Sequence, residues 1–106
     1  MSTSQSNAIA PSIVSVKGVS GIEIPHGGPT TETSVTITGT AEKAQRVEVF
    51  DGTFAMGQVV VDSTGNWIFP LKDLRLGMHS ITAKALYGSG DVSPERVFAV
   101  VSHNQA

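Results

Sequence analysis

Apolar and polar residues alternate along most of this chain with a period of two. One run places Trp67, Phe69 and Leu71 on a single face. After a turn flanked by Leu74 and Leu76 and closed by Gly77, a second run places His79, Ile81, Ala83 and Ala85 on another. Period two sends neighbouring side chains to opposite faces of a strand, so each run has one buried side. The same reading gives strands at 12–17, 34–40, 46–50, 56–61, 67–71, 79–87 and 96–101, with a short piece at 22–24. The inward pairs are Val35 with Ile37, Val47 with Val49, Val59 with Val61, and Phe98 with Val100. Phe50, Ile68 and Leu86 fall on outward positions.

Turn residues punctuate these runs. Asp51-Gly52, Asp62 to Asn66, and Gly88 to Asp91 are hairpin or loop signals, because Gly takes positive φ cheaply and Asp bonds its own backbone. His26-Gly27-Gly28-Pro29 reads as a loop. Pro70 removes a ladder donor, which predicts an edge position or an early end for its strand. Short strands about 8–12 residues apart predict an all-β fold, an antiparallel sandwich of seven or eight strands. No internal repeat is visible. Residues 12–101 form the domain in this reading. Residues 1–11 are a polar tail expected to be disordered, and 102–106 are a polar C-terminal tail.

Composition narrows the function more than it defines it. A formal charge of −2, with seven scattered Lys and Arg, offers no stripe for nucleic acid or an anionic surface. The chain has no Cys, so disulfides, Cys-based zinc sites and thiol catalysis are excluded. No apolar run approaches the roughly 20 residues of a membrane-spanning helix, and the first residues lack a signal-peptide pattern.

Candidate chemistry is sparse. Trp67 is a sugar-stacking platform or a core residue; sharing a face with Phe69 and Leu71 favours the core. His79 has no Cys, Asp or second His at ligand spacing, and His26 and His103 lie in a loop and a tail expected to be solvated. Asp51, Asp62 and Asp91 are weak calcium candidates. Each precedes a turn, and calcium takes 6–8 oxygens, so turn chemistry is the stronger reading. Glu48 and Glu95 are expected to be solvated strand residues. Gly27-Gly28 and Gly88-Ser89-Gly90 lack the helix and the Gly-Lys-Ser of a phosphate loop. The serines lack a Gly-x-Ser-x-Gly elbow. No catalytic set can be assembled, and the expectation is a protein that is not an enzyme. The expected core is Trp67, Phe69, Leu71, Leu74, His79, Ile81, Ala83 and Phe98.

Several segments together carry a resemblance. They are Gly39-Thr40-Ala41-Glu42, Val47 to Gly52, Gly57, Asp62-x-x-Gly65-Asn66-Trp67-x-Phe69, and Leu74-x-x-Gly77-x-His79-x-Ile81-x-Ala83-x-Ala85. Over residues 12–101 the chain resembles the bacterial immunoglobulin-like repeat domains of large surface and biofilm proteins. The closing Ala85 to Gly90 is similar to repeats of large pseudomonad proteins. The resemblance implies an Ig-like fold and a spacer role in an adhesin-type extracellular protein, with no catalytic residue. It implies neighbouring repeats as partners, met through Pro11, Ile13 and the loops around Gly27 and Gly88. Calcium between repeats is a further implication, but the chain has no Asp-x-Asp spacing. His79 occupies the place where Ig-like folds often set a Tyr that bonds the corner backbone. The expected function is a structural module, monomeric when isolated, with no cofactor, no nucleic acid and no membrane insertion. The alternatives are a carbohydrate- or protein-binding module using its end loops, and a calcium-rigidified repeat.

Overall fold

The computed structural model describes residues 9–102. Its regular elements are strands: β1 (Ser12–Gly18), β2 (Gly28–Thr30), β3 (Val35–Thr40), β4 (Arg46–Asp51), β5 (Phe54–Val60), β6 (Asn66–Leu71), β7 (Gly77–Ala85) and β8 (Arg96–Val100). They form a three-stranded sheet, β1-β3-β6, and a five-stranded sheet, β2-β8-β7-β4-β5. Each sheet has one apolar face, and stacking the two faces removes both from water. This is the expected immunoglobulin-like β-sandwich.

The core follows the alternation. Val35 and Ile37, Val47 and Val49, Ile81, Ala83 and Ala85, and Phe98 and Val100 are all buried. Trp67 and Leu71 join them from the smaller sheet, and Leu74 from the connection after it. Trp67 lies against β3, opposite Gly39. A Cβ at Gly39 would overlap the indole and the Ser12 carbonyl, so this position admits only glycine without rearrangement.

Four expectations need correction. Residues 26–29 were read as a loop, but Gly28 to Thr30 form β2, paired parallel to β8. The sandwich is therefore not wholly antiparallel. The β2–β8 pairing is made by main chain, with Val101 N–H donating to Thr30 O at 2.8 Å, and needs no apolar alternation. β5 starts at Phe54, two residues before the expected start at Met56. β6 is an edge strand, as Pro70 predicted, and Phe69 is only half-buried because its ring faces Gly57, which has no side chain to cover it. Ile9 and Pro11, assigned to the tail, are held by the domain. Ile9 N–H donates to Glu42 Oε1 at 2.8 Å, and Pro11 is buried. Residues 1–8 and 103–106, including His103, lie outside the described residues.

The strand registers define two poles. Ser12 pairs with Thr40, and Thr40 with Asn66, so the described chain begins at one pole. Gly77 pairs with Val100, so it leaves at the other.

Candidate functional site

The C-terminal pole carries an open cleft of about 850 Å³. The end of β4, the start of β5, the connection from Lys72 to Leu76 and the start of β7 surround it. Its apolar lining includes Phe54, Met56, Leu76 and Met78, which are 76%, 39%, 64% and 65% exposed. Lys72, Asp73 and Arg75 form a charged rim. Asp73 takes a positive φ of 56°, which a short polar side chain tolerates better than most.

His79 and Asp51 sit at the base of this cleft. The register of β4 against β7 pairs Asp51 with Ile81, which brings Asp51 beside His79. Nδ1 of His79 lies 2.5 Å from Asp51 Oδ2, and Nε2 lies 2.8 Å from the Arg75 carbonyl. Both ring nitrogens therefore face oxygen atoms of the protein. The ring also stacks on Phe98, with centroids 5.4 Å apart. Asp51 Oδ1 accepts the Ser80 N–H at 3.3 Å.

A carboxylate on Nδ1 is half of a nucleophile-activating arrangement, in which Nε2 faces a serine. Here Nε2 faces a backbone carbonyl, and the neighbouring Ser80 hydroxyl donates to Glu95 at 2.6 Å instead. The geometry is that of a clasp. It ties β4, the 72–76 connection and β7 together, and it includes the corner-backbone bond expected of His79. Sequence reasoning missed the Asp51 partner because the two residues are 28 apart and only the register joins them. Asp51 therefore bonds across strands and is not simply a turn residue.

The three calcium candidates are not brought together. Asp51 is at the C-terminal pole. Asp62 and Asp91 are in the β5–β6 and β7–β8 connections, towards the other end. No group of three or more His, Cys, Asp or Glu suited to a metal occurs among the described residues. Asp62 closes its own turn, accepting from Thr64 Oγ1 at 2.6 Å, Thr64 N–H at 2.9 Å and Asn66 N–H at 3.0 Å. The Thr64 hydroxyl first, and the backbone N–H of Asn66 and Thr64 after it, hold the Asp62 carboxyl below the usual carboxylate range. Asp91 accepts the Ser89 hydroxyl at 3.1 Å. Glu32 is likewise held low, chiefly by the Ser20 hydroxyl, which donates to it at 2.8 Å.

Other placements complete the picture. Trp67 is 2% exposed, and its Nε1–H donates to Thr40 O at 3.1 Å. An indole so placed offers no face for a sugar. Ile13 packs against the core while keeping part of its surface exposed, and Pro11 is buried. His26 is exposed, yet its Nδ1 accepts the Val97 N–H at 3.1 Å. Arg96, unremarked in the sequence, pairs with Glu23 at 2.6 Å and donates to Ile24 O at 2.8 Å.

Solved structures share this fold. The fibronectin(III)-like modules of Clostridium thermocellum CbhA match with a TM-score of 0.56 and 17% identity, over 81% of this chain and 94% of that one. CopC from Methylosinus trichosporium OB3b matches with a TM-score of 0.51 and 13% identity, over 91% and 98%. No family model matches the sequence, and no curated protein does. At these identities the similarity establishes the Ig-like, fibronectin-III-like sandwich.

Proposed function

We propose that the chain is a non-catalytic immunoglobulin-like spacer module of a larger bacterial surface or secreted protein, working in adhesion outside the cell. The observation that carries this reading is the position of the chain ends. The described chain starts beside Thr40 at one pole and leaves beside Gly77 at the other. Modules connected in this way extend a rod with each copy added. The clasped His79, with both ring nitrogens engaged, supports a structural use of this buried histidine. The fold is shared with fibronectin(III)-like modules, which supports it further. In this reading the isolated domain is a monomer without a cofactor, and its partners are the neighbouring modules.

Small-angle scattering of two full chains joined end to end tests it. The expected maximum dimension approaches the sum of two single chains. A value no larger than that of one chain, from domains folded back side by side, contradicts it.

A further inference from the structure

Two sheets leave four strand edges, on β1, β6, β2 and β5. A free edge presents unpaired backbone groups and recruits another strand unless it is blunted. Three of the four are blunted. The segment around Glu23 bridges to Lys17 of β1, and Ile24 N–H donates to Val16 O at 2.8 Å. β6 contains Pro70, and β2 is three residues long with Pro29 at its centre. β5 differs. Its seven residues, Phe-Ala-Met-Gly-Gln-Val-Val, include no charge and no proline, and Val60 is 55% exposed.

The single irregularity of β5 points the same way. The register shifts between Val49 and Phe50 of β4, leaving Met56 as the extra residue. Such a bulge re-aims a side chain, and Met56 lines the cleft together with Phe54. The open edge and the apolar cleft are therefore one continuous surface. At its rim, Lys72 and Arg75 form no ion pair among the described residues, and Asp51 is already engaged by His79. Asp73 alone opposes the two cations.

The geometry points to a binding site for an extended polypeptide segment of a partner protein, apolar at alternate positions and acidic at the end that reaches the cleft. The segment pairs antiparallel with the β5 main chain along Gly57 to Val60. One apolar side chain enters between Phe54, Met56, Leu76 and Met78, where two flexible thioethers adapt to its shape. Its acidic end lies beside Lys72 and Arg75. This site is independent of whether the module serves as a spacer.

The test uses the full chain, isotope-labelled for amide resonances, titrated with the capped peptide Val-Thr-Val-Thr-Phe-Glu-Glu. The expected result is saturable shifts confined to residues 54–60 and to Lys72, Arg75, Leu76 and Met78, weakened by salt. The same peptide with proline at its central position is expected to give none. Met56→Lys and Val60→Lys, both at exposed positions, are expected to weaken binding by about tenfold or more without lowering the melting temperature. No shifts at millimolar peptide, or saturable shifts that miss β5, overturn the proposal. A concentration-dependent dimer that Val60→Lys disperses would assign the edge to a second copy of this chain, and also overturns it.

Discussion

The two poles of the sandwich dispose of their polar and aromatic groups in opposite ways. At the N-terminal pole the two ring-bearing polar side chains and the turn aspartate are used internally. Trp67 donates to Thr40 O, the Tyr87 hydroxyl accepts from Glu42 N–H and donates to Ile9 O, and Asp62 takes donors from its own turn. At the C-terminal pole Asp51 with His79 and Glu32 with Ser20 are satisfied, but around the His79 clasp four large apolar side chains stand in water. Single exposed apolar residues are ordinary, but a contiguous set beside an open sheet edge marks a surface meant to be covered. One end of the fold ties its aromatic groups into its own bonds, and the other leaves an apolar cleft open.

Substitutions at matched aromatics should break this comparison most sharply. Trp67→Ala removes a buried side chain and is expected to cost about 3–5 kcal/mol, against at most about 0.5 kcal/mol for Phe54→Ala on the exposed cleft wall. Chemical denaturation of both variants checks it, and equal losses would erase the distinction between the poles. The clasp comes next. A double-mutant cycle on His79→Ala and Asp51→Ala is expected to give a coupling of about 1.5–3 kcal/mol, in the range of hydrogen bonds to charged groups. Additive single losses would mean that the pair does not hold the C-terminal pole together.

The smallest effect concerns acid. Asp62 is held below its ordinary range in the folded state. Its stabilising contribution is present above the unfolded carboxylate value, about pH 4, and is lost as pH falls through the lower folded value. Melting temperature should therefore drop below about pH 4, and Asp62→Asn should make that drop shallower. Glu32 acts in the same direction, so the slope should lessen without vanishing. An unchanged slope in Asp62→Asn would show that the turn bonds are not made in solution.

Most of the fold was legible because burial on one side of a strand imprints alternation. Val47 and Val49, Ile81 and Ala83, and Phe98 and Val100 are buried as the pattern requires. The misses occur where another force sets the structure. β2 is held by main-chain bonds, and a Gly-Pro-Thr segment carries no apolar signal for that. Phe69 obeys the alternation, but facing inward does not mean full cover where the opposing residue has no side chain. It meets Gly57, whose φ is 152° and where an added Cβ would come within 3.0 Å of the ring. The candidate site was barely legible. Leu76 reads as a turn residue, and Met78 and Phe54 fall outside the expected strands. Their meeting depends on two connections converging at one pole, which no local pattern encodes. The clasp likewise needs a register that brings Asp51 to His79.

The comparison rests on the indole of Trp67 being part of a dry interior and not a ligand-facing ring. Quenching of the fluorescence of this single Trp by a small neutral solute measures that directly. In the native protein the account predicts blue-shifted emission that resists quenching, with full quenching only after denaturation. Emission quenched as readily in the native as in the unfolded chain would place the ring in water and contradict it.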